Sequence, residues 1–124
     1  MKGKLFIIQW DEPSAEKRAE KMRFDNWEVF VESVDGDRAY RQIKEILPNI
    51  VLIDLSKKPS HGREVALCLS ETKATRSIPI IFVNGDDEDI DDIKLKVPDA
   101  VFTTEMQLQI TLDVIMKKLE RKRC

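Results

Sequence analysis

Asp54 closes the apolar run Ile50, Val51, Leu52, Ile53, and a polar segment ending at Gly62 follows it. A continuous run of this kind is expected to be a strand covered on both faces, and in parallel α/β sheets ligands bind just beyond the carboxyl ends of such strands. A carboxylate in that position serves packing poorly; the chemistry open to it is that of an oxygen donor. Other reactive side chains are sparse. His61 is the only histidine, lies in the loop beside Gly62, and has no second ligand near it in sequence, so no metal or catalytic role is expected of it. Cys68 and Cys124 show neither disulfide nor metal spacing, and both are expected to be reduced thiols, Cys68 as a small core residue. There is no GxxxxGK[ST] segment, no GxGxxG after the first strand and no serine or cysteine set beside a histidine. With four glycines in the whole chain, a backbone cradle for phosphates is difficult to build. A nucleotide-binding protein or small enzyme is therefore disfavoured.

The elements that must carry Asp54 follow from apolar periodicity, which alternates between strand-like and helix-like along the chain, the signature of an α/β fold. A first strand is expected over residues 5–9, followed by a helix that Pro13 opens and whose Ala15, Ala19 and Met22 share a face. Val29, Val31 and, at its margin, Val34 mark a second strand closed by Asp35 and Gly36. Ala39, Ile43 and Ile46 mark a helix stopped by Pro48. After the Asp54 strand come a helix over about 63–73, a strand over 78–83 ending in Asn84 and Gly85, and an acidic helix over 86–95. A short strand over 100–103 and a last helix with Leu108, Leu112, Ile115 and Leu119 as an apolar stripe complete the order. At 124 residues one domain is expected, with no output domain. The MKGKLFII start has too short an apolar run for a signal peptide, which predicts a cytoplasmic protein. Net charge is −2, so neither a membrane nor specific nucleic acid is expected as partner; the block DDEDIDD at 86–92 and the basic tail at 117–123 are the local exceptions.

This order of elements, with Asp54, the Gly62 eight residues after it and the Ile-Pro at 78 and 79, resembles the receiver domain of two-component response regulators along essentially the whole chain. The resemblance implies a flavodoxin-like, doubly wound three-layer α/β fold with five parallel strands in the order 2-1-3-4-5 and five helices. It implies that Asp54 is the acceptor of a phosphoryl group from a histidine kinase and that Asp11, across the same cleft, is a magnesium ligand. The Ser56 backbone carbonyl would be a third ligand, and Glu12 would replace Asp11 only if the strand end slips by one residue. Two carboxylates about 4 Å apart repel by roughly 4 kcal/mol at an effective dielectric of 20, which a hard divalent cation relieves.

Several positions depart from the family pattern. Trp10 stands in place of the first acid of the pair, and Asn84 in place of a hydroxyl residue that meets the phosphoryl group, although its amide can still donate. Thr104 stands in place of the lysine that pairs with acceptor and phosphate, and Val101 in place of an aromatic residue that rotates on activation. Glu105 follows Thr104 where proline is usual. Lys57 and Lys58 are near enough in sequence to Asp54 to offer a substitute cation. The resulting expectation is a stand-alone, degenerate receiver, not an enzyme, that binds signalling proteins (a histidine kinase or a downstream target) with phosphorylation weakened or lost. Magnesium would be held weakly, and no small-molecule ligand is expected. The alternative is a working single-domain receiver phosphorylated on Asp54 with magnesium.

Overall fold

The computed structural model describes residues 1–123. Five parallel strands, β1 (Lys4–Ile8), β2 (Glu28–Glu32), β3 (Ile50–Asp54), β4 (Ile80–Val83) and β5 (Val101–Thr103), form one sheet in the order β2-β1-β3-β4-β5. Five helices alternate with them: α1 (Glu12–Phe24), α2 (Gly36–Ile46), α3 (Pro59–Glu71), α4 (Asp87–Lys96) and α5 (Leu108–Arg123). This is the flavodoxin-like order anticipated above.

Both faces of the central strands are covered, which is why β1, β3 and β4 read as unbroken apolar runs. Phe6, Ile8, Val51, Ile53 and Phe82 pack under α2, α3 and α4, while Leu5, Ile7, Ile50, Leu52 and Ile81 pack under α1 and α5. Registers of Ile8 with Ile53 and Asp54 with Val83 bring the carboxyl ends of β1, β3 and β4 together at one edge. The helices start where their capping chemistry dictates. Asp35 caps α2 by accepting from the Asp37 and Arg38 N–H groups, and Asp86 caps α4 by accepting from Asp89. Part of the acidic block therefore serves the positive end of α4, whose first turn holds Asp87, Glu88 and Asp89.

Four local expectations are corrected. α3 begins at Pro59, about four residues early, because Pro59 suits the first helical turn; the loop after Asp54 is correspondingly short. β4 begins at Ile80: the Ile78 N–H donates to the Thr75 carbonyl in the preceding turn, and Pro79 has no N–H to offer the ladder. Val34 lies outside β2 and is exposed, because the Glu32 carboxylate accepts from the Val34 and Asp35 N–H groups and ends the strand. Cys68 is exposed: the buried face of α3 is Gly62, Val65, Ala66 and Leu69, and position 68 falls off that stripe. Cys124 lies outside the described residues.

Glu32 makes an acid-sensitive contact at the carboxyl end of β2, outside the pocket described below. Buried at the end of β2, it binds Arg38 Nε at 2.6 Å and Nη2 at 2.9 Å besides the two backbone N–H groups. The Arg38 bond, aided by those N–H groups, pulls its pKa from 4.5 down to about 2 against the opposing effect of burial. A depressed carboxyl stabilises the fold fully above its unfolded pKa, and that contribution fades as pH falls from about 4.5 through about 2. Urea unfolding of Glu32→Gln is therefore expected to show a clear deficit against the native chain at pH 7. The deficit should shrink steadily between pH 5 and pH 2; a constant gap would mean that the charge is not what stabilises the contact.

Candidate functional site

The carboxyl edge of the sheet carries a pocket of about 370 Å3 lined by residues of the β1–α1, β3–α3, β4–α4 and β5–α5 loops and by two residues of α1, Ser14 and Arg18. Asp54 forms its floor and is 4% exposed. Every oxygen of its carboxylate has a partner. Oδ1 accepts from the Ser56 N–H at 2.7 Å, and Oδ2 accepts from Arg18 Nη2 at 2.9 Å and Asn84 Nδ2 at 3.1 Å.

Arg18 is the residue that sequence reasoning missed. It sits in mid-helix on α1, beside the buried Ala15–Ala19–Met22 stripe, and helical side chains lean toward the helix N-terminus, so a long one from that position reaches back up to the strand ends. Because α1 and α5 cover the same sheet face, the same guanidinium meets the β5–α5 loop. Its Nε donates to Gln9 Oε1 at 2.7 Å, its Nη1 to Glu105 Oε2 at 3.3 Å, and its Nη2 to Asp54 and to Glu105 Oε1. Gln9 is held in turn by donating to Ser14 Oγ at 2.9 Å. A largely buried guanidinium is thus held by two carboxylates and an amide, the fork geometry for which arginine is suited and lysine is not.

The other expected residues distribute unevenly. Asp11 occupies the N-cap position of α1 at the pocket rim without a side-chain cap bond, and its carboxyl is held below the ordinary value by the Ser14 hydrogen bond first and by Lys57 to a smaller degree, against the opposing effect of desolvation. Lys57 Nζ lies 3.5 Å from Asp11 Oδ1, not on Asp54; both groups are largely exposed, so the pair contributes little. Lys58 occupies the left-handed residue before α3 and does not line the pocket. The substitute cation expected from the β3–α3 loop comes instead from α1. Trp10 lines the pocket, its ring edge-on to His61 with centroids 5.6 Å apart, and its indole N–H has no acceptor among the described residues. Glu12 is exposed at the start of α1 and outside the pocket, as is Thr104 after β5. The β5–α5 residue that enters is Glu105, whose carboxyl is held low by Arg18 first and Asn84 second, against burial. Val101 begins β5, at the far end from the pocket, and packs under α5.

Three carboxylates (Asp11, Asp54, Glu105) and two cations (Arg18, Lys57) leave the pocket close to neutral. As arranged, the donor set does not fit a divalent cation between Asp11 and Asp54. Both Asp54 oxygens are engaged by N–H donors, and a hard cation there would sit against the Arg18 guanidinium.

No protein-family model matches the chain. Its fold is similar to several solved structures. The signal receiver domain of a signal transduction histidine kinase from Syntrophus aciditrophicus superimposes with a TM-score of 0.79 at 18% identity, over 96% of this chain and 93% of that one. The signal receiver domain of a modulated diguanylate cyclase from Desulfovibrio desulfuricans G20 gives 0.75 at 19% identity, over 97% and 98%. The chemotaxis protein CheY4 of Vibrio cholerae gives 0.76 at 14% identity, over 90% and 97%. At these identities the likeness is one of fold.

Proposed function

We propose that this chain is an atypical receiver of two-component signalling that acts in the cytoplasm by docking to partner proteins, with phosphorylation of Asp54 weakened. The observation that carries this reading is the occupancy of Asp54: a permanently charged guanidinium from α1 and an amide already hold the oxygen that would attack phosphorus. A nucleophile tied up in a buried ion pair reacts slowly, because the pair must open before the oxygen is free. The likeness of fold to receiver domains and the convergence of Asp11, Asp54 and Asn84 in one pocket support the assignment to that group of signalling modules. Its partners in this reading are a histidine kinase or a downstream target. The docking surface is formed by α4 and α5, where Leu95, Ile110 and Val114 are exposed and the acidic block adds a steering charge. No helix among the described residues is long and apolar enough to cross a membrane.

The second reading, a working receiver, is favoured by one specific feature. Ser56 N–H, the Asn84 amide and Arg18 remain as donors around an open pocket, so a phosphoryl group that did arrive would find hydrogen bonds. Intact-mass analysis after incubation with acetyl phosphate and magnesium decides between them, with Asp54→Asn as the control. The expected result is an adduct on a small fraction of the native chain under conditions that convert an ordinary receiver fully. A stoichiometric adduct absent from Asp54→Asn would establish the relay instead.

A further inference from the structure

Two nitrogen atoms in the pocket each serve two carboxylates. Asn84 Nδ2 donates to Asp54 Oδ2 at 3.1 Å and to Glu105 Oε1 at 2.8 Å. Arg18 Nη2 donates to the same two oxygens. Shared donors fix the Glu105 carboxylate directly beside Asp54 Oδ2, and the exposures place it on the solvent side: the Asp54 side chain is 5% exposed, that of Glu105 52%. Two anions so close repel by roughly 4 kcal/mol at 4 Å and an effective dielectric of 20, so they stay together only because charged and amide donors lie between them. An oxyanion held outside an aspartate oxygen by a guanidinium and an amide is the arrangement that a phosphoryl group bonded to Asp54 Oδ2 would itself require.

The backbone shows the same commitment on both loops. Asn84 adopts a left-handed conformation, φ 64°, a strained setting that asparagine tolerates, and it is there that its amide faces both carboxylates. The Gln107 N–H donates to the Thr104 carbonyl and hydroxyl, which ties the position of Glu105 to the first turn of α5. The Thr103 and Thr111 hydroxyls bond at 2.8 Å across the same junction.

We propose that Glu105 is a built-in substitute for a phosphoryl group on Asp54, holding the β4–α4 and β5–α5 loops in their anion-bound arrangement without any modification. The inference rests on the receiver reading and deepens it: such a module is permanently set, and its regulation lies in the supply of partner, not of phosphate. Glu105 is a positioning residue in this scheme, acting through Arg18 and Asn84.

Backbone amide NMR shifts of the full chain test it, comparing the native protein with Glu105→Ala and Glu105→Gln. Glu105→Ala should displace the Asn84 and Gly85 amides, and Glu105→Gln, which keeps the acceptor and loses the charge, should displace them less. Losing Glu105 also removes the carboxylate that helps fix the Arg18 guanidinium over Asp54, so acetyl phosphate with magnesium should then modify Glu105→Ala: the phosphorus–oxygen bond to acetate breaks, one to Asp54 Oδ2 forms, and acetate leaves. Modification should return the two amides toward their native positions and proceed at least about tenfold faster than in the native chain. Glu105→Ala with Asp54→Asn should stay displaced. Unmoved Asn84 and Gly85 amides in a folded Glu105→Ala chain, or no phosphoryl uptake by it, or uptake that drives the amides further away, would each overturn the proposal. If the native chain is modified as fast as Glu105→Ala, the docking reading falls as well; unmoved amides in an unmodifiable chain sink only the role of Glu105.

Discussion

Arg18→Met is expected to lower the stability of the fold by about 3 kcal/mol, because removing one member of a buried ion pair leaves its partner charged and unpaired. Asp54 and Arg18 are both nearly sealed from solvent, whereas Glu105 is half exposed, so the figure belongs at the lower end of the range for buried pairs. For a chain of this size that is a drop of roughly 10 °C in Tm. The orphaned carboxylates then face one another with no cation between them, and magnesium should raise the Tm of Arg18→Met while leaving the native chain unchanged, since a ligand stabilises only the state that binds it. Combining Arg18→Met with Asp54→Asn should cost less than the sum of the two changes, the signature of residues acting as one unit. Thermal unfolding of the four chains, with and without magnesium, checks all three expectations. A magnesium response as large in the native chain would show that Arg18 does not exclude the metal.

Gly62→Val is expected to be about as damaging, for a reason of space alone. A Cβ at position 62 would lie 2.7 Å from Ile53 Cγ2 and 3.5 Å from Leu55 Cδ2, on the two residues that flank Asp54. α3 rests that closely on β3, and overpacking of such a contact costs about 1 to 3 kcal/mol, with the β-branched side chain at the upper end. Gly62→Ala should fall between, since its better helix propensity offsets part of the clash. Urea unfolding that ranks Gly62 above Ala above Val supports the close approach; a stabilised Gly62→Ala would refute it.

How far the sequence could be read depended on whether the signal was local. β3 and β4 were legible because burial on both faces leaves unbroken apolar runs. α2 is legible because Ala39, Ile43 and Ile46 recur at helical spacing until Pro48 stops them. The resemblance to receiver domains implies that Asp11 and Asp54 face one cleft with Trp10 and Asn84 at altered positions around it, and all four line the pocket. The ion cluster is not legible, because the cations near Asp54 along the chain are Lys57 and Lys58, whereas the partner lies 36 residues away on a helix packed against the sheet. One signal was present: Arg18 borders the buried Ala15–Ala19–Met22 stripe one turn after Ser14, and a long charged side chain there must reach an edge of the sheet. Glu105 was noticed only as a missing proline, since its carboxylate gains meaning once Arg18 is placed. Cys68 was misplaced because a thiol at helical spacing from apolar neighbours reads as core until the tilt of the helix is known.

The strand order ties the chain's first crossover to its β5–α5 junction. β2 lies on one side of β1, β3 on the other, β4 beside β3 and β5 beside β4, so each strand borders the outer edge of those before it in sequence and none is inserted between earlier neighbours. Arg18, Asp54 and Glu105 follow one another in that order along the chain. The Arg18 guanidinium is enclosed only where the β1, β3 and β5 ends all meet, so the ion cluster is complete only when the chain's first crossover and its β5–α5 junction are both in place.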